Sequence, residues 1–422
     1  MPRMMIREAA KRLPAQGLKP RRTGTCMSLL ALLVSIITLP APAGQHPKQP
    51  TAEKKDPDLL AEFEIPRGGR PIFLPVSVQN REYQFLLDTG ISGCSYDTNF
   101  RNLLGEQIAS EEAATAGGKT TFPLFAPPEA YLGELDLRRG NVAVSCVDLK
   151  VLRSGFGKDF GGIVGMGFLK HYVVRIDFDS GKVQFRSWDG RNHPEWGTAV
   201  PLFTGGQVEP EVPYVNANLA GIGSIKLVVD LGCAGTGGVR PEMFDKLKDT
   251  VGAAERVLEA KTVAAPGTDQ AGTEWTRAVR ISNLALGGSQ HRSLVMWRGP
   301  VAAIGLGFLS RYIVTFDFPS MKMYLQKGRA FDRRDEFDMS GLEFARVQGR
   351  TFISVVDNES PAAAAGIKPE DVILKLGDQS ASAMDIYDIR DLLKSGDGKE
   401  IKMAIKRGEE EKVVSFKLKK RI

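Results

Sequence analysis

Residues Phe85–Gly93 have the sequence FLLDTGISG, which joins an apolar strand to a tight turn that carries an acid. Asp88 follows three apolar residues, and Gly90 comes two positions after it. A glycine at that place lets the backbone fold back under the carboxylate. A strand, IFLPVSV, and a turn at residues 79–81 come before this stretch. The pattern predicts a β-hairpin whose second strand ends at Asp88.

The same pattern occurs a second time. A strand, PYVNANL, a glycine-rich turn and a strand, IKLVV, lead into Asp230-Leu231-Gly232. Asp230 lies 142 positions after Asp88. The second copy therefore places another carboxylate at the end of an apolar strand and two positions before a glycine.

Longer blocks of the chain repeat at nearly the same offset. Residues 161–185 (GGIVGMGFLKHYVVRIDFDSGKVQF) and residues 301–325 (VAAIGLGFLSRYIVTFDFPSMKMYL) are identical at ten of 25 positions. Each block has the pattern of an apolar strand that ends at a glycine, followed by a short turn and a hairpin. The period is far longer than that of a solenoid, so the pattern indicates a duplicated domain.

Two aspartates at strand ends form a carboxylate dyad if the two copies face each other across a pseudo-twofold axis. Paired carboxyl groups share one proton, because both cannot ionise cheaply. The ionised group takes a proton from a bound water, and the protonated group hydrogen-bonds the substrate carbonyl. This chemistry hydrolyses a peptide bond without a metal ion or a cofactor, and we expect neither.

The glycine-rich run at residues 155–161 lacks the spacing of a phosphate loop and is predicted to be a plain loop.

FLLDTGISG resembles the active-site motif of aspartic proteases of the pepsin and retropepsin type, with Asp88, Thr89 and Gly90 matching one for one. The resemblance implies a mostly β, bilobal fold in which each lobe is barrel-like. It also implies a peptide or protein substrate and catalytic roles for Asp88 and Asp230. Support for the active-site loops is then expected from Thr89, Gly90 and Gly232.

The resemblance extends over roughly residues 61–328. The family packs an apolar-apolar-Gly stretch beneath each active-site loop, and residues 163–165 and 303–305 match it. It also covers its cleft with a flap hairpin, for which the candidate lies between Glu112 and Leu135, with Gly117-Gly118 at the turn.

Leu231 departs from the family pattern, because the family has Thr or Ser there, and that hydroxyl braces the opposite loop. Three interpretations follow. The protein is an exported aspartic endopeptidase that uses Asp88 and Asp230. Alternatively, it is a non-catalytic peptide- or protein-binding protein with a degenerate cleft. In the third, two chains pair and each supplies its Asp88. The oligomeric state stays open.

The last 90 or so residues follow a different pattern. Ser360-Pro361, four alanines and Gly366 predict a short capped helix. A strand, DVILKL, and a helix around residues 385–394 follow. The stretch ESPAAAAGIKPEDVILKLGD resembles bacterial PDZ domains. The chain therefore contains a small α/β module after the two lobes.

The PDZ resemblance implies that a peptide's C-terminal strand adds to the edge of a sheet, with its carboxylate held by the amides of a loop. Gly341, Leu342, Glu343 and Phe344 match that loop by position. Glu343 stands where a glycine is common, and its negative charge weakens the capture of a carboxylate. In the alternative interpretation, the module only packs against the lobes or mediates assembly.

The N-terminal segment accounts for the whole formal net charge of the chain, which is +6 at pH 7. It holds seven of the 56 basic and one of the 50 acidic residues within residues 1–43, which leaves 49 of each in the remainder. A basic stretch, an apolar run and an Ala-x-Ala site are typical of a secretory signal peptide. We therefore expect export to the periplasm or the extracellular space, no nucleic-acid partner and no membrane contact beyond this segment. Three cysteines remain after the signal, of which Cys94 and Cys146 are candidates for a pair.

These patterns divide the chain into five segments. The predicted segments are a signal peptide (1–43), a flexible lead-in (44–60), lobe 1 (61–198), lobe 2 (199–332) and a PDZ domain (333–422).

Overall fold

The computed structural model describes residues 56–115, 118–205, 210–250, 258–263 and 273–422. The predicted signal peptide, most of the lead-in and Gly117 of the predicted flap turn lie outside the described residues. Within those ranges, no helix is both long and apolar enough to cross a bilayer.

Lobe 1 consists mainly of short strands. The predicted hairpin is confirmed: Gln79 and Asn80 have positive φ values of 48° and 64°, as a two-residue type I′ turn requires. Its elements are β1 (Leu59–Glu64), β2 (Phe73–Val78), β3 (Arg81–Leu87), β4 (Ser95–Asp97), β5 (Gln107–Thr115), β6 (Gly118–Phe125), β7 (Ala130–Leu132), β8 (Leu135–Asp136), β9 (Val144–Val147), α1 (Lys150–Phe156), β10 (Gly162–Val164), α2 (Met166–Leu169), β11 (Val173–Asp177) and β12 (Lys182–Arg186), with a 3-10 helix at Thr98–Leu103.

Lobe 2 repeats this order, and its first two long strands lie where the sequence predicts them. Its elements are β13 (Thr198–Pro201), β14 (Tyr214–Leu219), β15 (Gly223–Val229), β16 (Gly237–Val239), α3 (Pro241–Thr250), β17 (Leu258–Val263), β18 (Thr273–Ile281), β19 (Leu284–Leu286), β20 (Ser289–His291), β21 (Leu294–Arg298), β22 (Ala303–Ile304), α4 (Leu306–Leu309), β23 (Tyr312–Asp317) and β24 (Lys322–Lys327), with a 3-10 helix at Pro194–Trp196 before them.

Each lobe holds a nine-stranded sheet, and the two sheets have the same strand order. Lobe 1 has the order β5-β6-β9-β4-β10-β3-β2-β7-β8, and lobe 2 has β17-β18-β21-β16-β22-β15-β14-β19-β20. In both, the strand that leads to the aspartate pairs in parallel with the apolar strand of the repeated block, β3 with β10 and β15 with β22. The duplication seen in the sequence is therefore also a duplication of topology.

A six-stranded sheet joins the lobes in the order β1-β12-β11-β23-β24-β13. Its central strands β11 and β23 run antiparallel, with Arg175 opposite Thr315. These two residues are equivalent in the duplication, so the pairing is symmetric about this point. The Arg175 guanidinium donates to the Thr315 hydroxyl at 3.0 Å. The sheet therefore relates the two copies by a local pseudo-twofold axis.

The C-terminal module is a mixed α/β unit with its own apolar core. Ser360 caps the first helix by accepting from the Ala363 amide, which confirms the predicted cap. The elements are β25 (Leu342–Val347), β26 (Arg350–Val356), α5 (Pro361–Ala364), β27 (Val372–Leu376), β28 (Gln379–Ser380), α6 (Ile386–Leu392), β29 (Glu400–Arg407) and β30 (Glu410–Lys417). The sheet order is β25-β26-β27-β29-β30, and β28 pairs with β27.

Two expectations need correction. The predicted loop at residues 155–161 begins as helix, because α1 extends to Phe156 and packs its apolar side chains on a small cluster that includes Phe73 and Phe160. Cys94 and Cys146 do not pair, and both are buried free thiols.

The region predicted to hold the flap contains the hairpin β5–β6, which begins at Gln107 and ends at Phe125.

Candidate active site

Asp88 and Asp230 lie at equivalent points of the two lobes. The Asp88 amide donates to the Val164 carbonyl at 3.0 Å, and the Asp230 amide donates to the Ile304 carbonyl at 2.9 Å. Each bond extends the parallel pairing of the preceding strand by one residue. The two aspartates therefore occupy equivalent positions in the two sheets.

Backbone amides hold each carboxylate from within its own loop. The Gly90 amide donates to Asp88 Oδ1 at 2.6 Å. Asp230 Oδ1 accepts from the amides of Gly232 and Cys233 at 2.8 and 3.0 Å. Each carboxylate thus has a fixed orientation in its loop.

The two glycines let the carboxyl groups approach each other. A Cβ atom on Gly232 would lie 2.4 Å from Asp88 Oδ2, and one on Gly90 would lie 3.0 Å from the Asp230 carboxyl carbon. The Asp88 and Asp230 side chains share a hydrogen bond. The structure therefore brings together the pair that the sequence proposes.

The pKa of Asp230 is raised above the usual value of a carboxyl group. Burial is the main cause, because it penalises the charged form, and hydrogen bonds from Gly232, Asp88 and Cys233 oppose it. Asp88 and Asp230 both keep part of their surface open to a cavity. The environment of Asp230 therefore favours its protonated form.

Asp230→Asn is expected to raise the melting temperature at pH 7 by a few degrees and to leave it unchanged at pH 3. A carboxyl group with a raised folded-state pKa contributes stability that is complete below its unfolded pKa and is lost as the pH rises through the folded one. Asparagine cannot ionise, so the variant avoids that loss. Thermal unfolding at pH 3, 5 and 7 measures it, with Asp317→Asn as a control for losing one carboxylate of the same lobe. Equal melting temperatures of wild type and Asp230→Asn at pH 7 would contradict the raised pKa.

Thr89 connects the two active-site loops. Its buried hydroxyl donates to the Val229 carbonyl at 2.6 Å and accepts from the Leu231 amide at 3.0 Å. Leu231 is the equivalent residue of lobe 2 and has no hydroxyl to return the contact. The brace therefore runs in one direction only, from lobe 1 to lobe 2.

The apolar-apolar-Gly stretches at residues 163–165 and 303–305 lead directly into residues that pack against the two aspartate loops. The Met166 amide donates to the Ile91 carbonyl at 3.0 Å, and the Leu306 amide donates to the Cys233 carbonyl at 2.8 Å. A Cβ atom on Gly305 would lie 2.5 Å from the Cys233 carbonyl oxygen. Only glycine allows this approach of the two backbones.

A cavity of about 1430 Å³ opens above the two aspartates. It is large enough for several residues of a peptide. Apolar side chains of lobe 1, lobe 2 and the C-terminal module share its wall with charged ones. The lining includes Ile91, Leu152, Phe156, Ile163, Val295, Trp297, Arg333, Arg334, Asp335, Glu343, Tyr387 and Arg390.

The C-terminal module contacts lobe 1 beside this cavity, mainly through α6. Arg70 donates to Asp388 at 2.7 Å and to Asp391 at 2.8 Å. Arg390 donates to the Gly155 carbonyl at 3.2 Å. Helix α1 also lies along β25, the end strand of the module's sheet. The edge of β25 is therefore next to lobe 1.

The predicted loop of the module is already engaged by its own side chains. The Gly341 amide donates to Asp338 at 2.6 Å, and the Leu342 amide donates to the Ser340 hydroxyl at 3.1 Å. Phe344 is buried in the core of the module. Glu343 lines the cavity 3.9 Å from Arg390, and burial raises the pKa of its carboxyl to about 7.

Three features of the site have no signal in the local sequence. The helical form of residues 150–156 depends on packing against lobe 1, and Arg70 meets α6 across more than 300 residues of chain. Residues 329–338 (RAFDRRDEFD) form a charged connector between the last strand of lobe 2 and the first strand of the module, and Asp335 from this connector lines the cavity. Among the described residues, no group of acidic, His and Cys side chains could hold a metal ion.

Comparisons with known proteins identify one part of the chain. No curated protein sequence matches this chain. A solved structure, a photosystem II D1 C-terminal processing protease, is 18% identical over 22% of this chain and 26% of that chain, with a TM-score of 0.20. Residues 352–407 match the family model of the PDZ domain. The C-terminal module of this mostly β protein therefore contains a PDZ domain, a module that binds peptides.

Proposed function

We propose that the protein is an exported aspartic endopeptidase that hydrolyses peptide bonds with Asp88 and Asp230. The observation that carries this proposal is the hydrogen-bonded carboxyl pair at the floor of a large cavity. The repeated strand order and the symmetric pairing of β11 with β23 also favour a bilobal fold of the pepsin and retropepsin type.

The two carboxyl groups divide the work of hydrolysis. The raised pKa of Asp230 favours it as the protonated member, although the pair titrates as a unit. Asp88 takes a proton from a water molecule as the water oxygen bonds to the substrate carbonyl carbon. Asp230 gives its proton to the carbonyl oxygen, which forms a neutral tetrahedral diol. When the diol collapses, the C–N bond breaks, Asp88 gives its proton to the leaving amine, and Asp230 takes a proton from one hydroxyl as the C=O bond forms again.

The single-chain dyad is preferred over a dimer that uses two copies of Asp88. Asp230 already occupies the place beside Asp88 that a second chain would have to fill. Leu231 has no hydroxyl, but Thr89 alone bonds to the residues on both sides of Asp230, which favours an intact site over a degenerate binding cleft. A degenerate cleft would have no need of this geometry.

The test is cleavage of a mixed peptide library by the full chain from acid to neutral pH, with and without a statine-type transition-state mimic. Mass spectrometry of the products is expected to show cleavage within the peptides and its loss when the mimic is present. No cleavage together with no binding of the mimic would overturn the proposal and favour a peptide-binding protein. Cleavage that the mimic leaves unchanged would assign another mechanism.

The PDZ domain is proposed to bind a peptide segment at the side of the cavity, with a C-terminal carboxylate accepted only in mildly acidic solution. The peptide carboxylate would replace Asp338 and Ser340 on the amides of Gly341 and Leu342. Glu343 lies in the predicted carboxylate loop and is neutral below a pKa of about 7. Arg390 and Arg421 favour its ionised form, whereas Asp338 and Asp357 oppose it. Above that pH, the ionised Glu343 and the peptide carboxylate repel each other.

A peptide with a free C-terminal carboxylate is expected to bind about tenfold more tightly than its amide at pH 5.5, and equally at pH 8. Tenfold corresponds to roughly 1.4 kcal/mol, a modest like-charge penalty. Glu343→Gln should show the preference for the carboxylate at both pH values. Fluorescence anisotropy with the full chain measures it. A strong preference of the wild type for the carboxylate at pH 8 would contradict the role of Glu343.

A further inference from the structure

We propose that Asp335 is a positioning residue for the active site, which fixes the Asp230 loop from the connector between lobe 2 and the PDZ domain. The inference rests on the proposed function, because it concerns the same aspartate pair. Asp335 does not touch the pair itself. It acts through Thr236, which ends the loop that begins at Asp230.

Both carboxylate oxygens of Asp335 are engaged in a buried site. Oδ2 accepts from the Thr236 hydroxyl at 2.6 Å and from the Val295 amide at 2.8 Å. Oδ1 accepts from the guanidinium of Arg311 at 2.6 Å. Arg311 is only 2% exposed and Asp335 only 8%. The Arg280 guanidinium also donates to the Asp335 carbonyl at 3.0 Å, so the backbone of the connector is held as well.

Thr236 connects the Asp335 contact to the loop that carries Asp230, because its backbone and that of Gly235 are also held. Its carbonyl accepts from the Gly305 amide at 2.9 Å, and the neighbouring Gly235 carbonyl accepts from Gly307 at 2.9 Å. The loop is thus fixed at one end by the strand that leads to Asp230 and at the other by Thr236. The amides of Gly232 and Cys233, which orient the Asp230 carboxylate, lie between these two fixed points.

The equivalent place in lobe 1 is anchored by lobe 1 itself. By strand register, Gly93 is equivalent to Thr236. It has no side chain, and at the next residue the buried Asn141 side chain accepts from the Cys94 amide at 3.3 Å and donates to the Cys94 thiol at 3.3 Å. Asn141 also donates to the Leu137 carbonyl at 2.7 Å. Lobe 2 takes its anchor from outside the lobe and uses a carboxylate. This difference indicates that the connector completes the second half of the site.

The anchor is placed where the hydroxyl brace is one-sided. Leu231 offers no hydroxyl to lobe 1, so the Asp230 loop depends on Thr89 and on its own end at Thr236. A misplacement of about 1 Å in a catalytic group can cost 10²-fold in rate. Loss of the Asp335–Thr236 bond should therefore reduce catalysis without removing any group that contacts the substrate.

Thr236→Val in the full chain is the main test, because valine keeps the shape of threonine and leaves the Asp335–Arg311 pair intact. We expect kcat to fall about tenfold and KM to stay within about twofold. Hydrogen exchange of the peptide that covers residues 231–236 should become faster. Thr236→Ser keeps the hydroxyl and is the matched control, with kcat and exchange close to those of the wild type.

Asp335→Ala adds a second comparison. It leaves Arg311 buried without its carboxylate, so a loss of stability is expected whatever the role of Asp335. Asp371→Ala, which removes a buried carboxylate of the PDZ domain from the partly exposed Arg407, controls for the loss of an ion pair and should leave kcat unchanged. Wild-type kcat and exchange in Thr236→Val would overturn the inference. If the wild type cleaves nothing, the cleavage assay rejects the proposed function, while the exchange data still decide whether Asp335 and Thr236 fix the loop.

Discussion

Asp88→Asn and Asp230→Asn are each expected to lower the rate of peptide cleavage by about 10²–10⁴-fold, the usual contribution of a general acid or base. Asparagine has nearly the shape of aspartate, so the loops and the hydrogen bonds from their backbone amides should persist. It cannot take a proton from water, as Asp88 does, or give one to the substrate carbonyl, as Asp230 does. The measurement is the initial rate on one library-derived peptide across the active pH range.

Asp317→Asn is the matched control, because Asp317 is a buried aspartate of lobe 2 that accepts from the Ser320 amide in a turn outside the site. Its rate should stay close to that of the wild type. Loss in Asp88→Asn alone, with a rate that depends on protein concentration, would contradict the single-chain dyad and point to paired chains. Full activity in both variants would refute the aspartic mechanism.

Gly232→Ala is expected to lower kcat by about 10²-fold while the chain stays folded. The new methyl carbon would lie 2.4 Å from an oxygen of the Asp88 carboxylate, which is shorter than the van der Waals contact distance between carbon and oxygen. The carboxylate or the loop must then shift, and a shift of this size misaligns the pair. Steady-state kinetics combined with circular dichroism separates loss of catalysis from loss of structure.

Gly93→Ala provides the comparison for this variant. A Cβ atom on Gly93 would meet nothing within 4 Å, and the substitution lies close to the other aspartate in the sequence. Its activity should be nearly that of the wild type. If Gly232→Ala is as active as Gly93→Ala, the Asp88 carboxylate does not lie as close to the Asp230 loop in solution as it does in the structure.

The sequence predicts those parts of the molecule that local patterns determine. Alternating apolar residues and two turn residues with positive φ define the hairpin that ends at Asp88, and Ser360 and Gly366 delimit a short helix. The duplication predicts that a second aspartate is equivalent to the first. Each of these features depends on residues close together in the chain, so one sequence contains enough information to find them.

Long-range contacts explain what the sequence does not predict. The run at residues 155–161 is rich in glycine, yet its first two residues belong to helix α1, because Leu152 and Phe156 pack on the apolar cluster of lobe 1. Asp335 lies among many charged residues of the connector, and nothing in that run distinguishes the one that is buried. Its partner Thr236 is 99 residues away. Such a pair becomes visible only when the fold brings the two segments together.

The one-sided hydroxyl brace has a consequence for how this molecule can change over time. In an assembly of two identical chains, each replacement appears in both halves, so a leucine in place of Thr89 would remove the brace altogether. Here the halves are joined in one polypeptide, and Leu231 removes only one of two hydroxyls while Thr89 still bonds across to Val229 and to the Leu231 backbone. Covalent linkage thus permits the halves to specialise separately. The half without the hydroxyl can then take its support from a segment outside the lobe, as the Asp335–Thr236 contact of the connector illustrates.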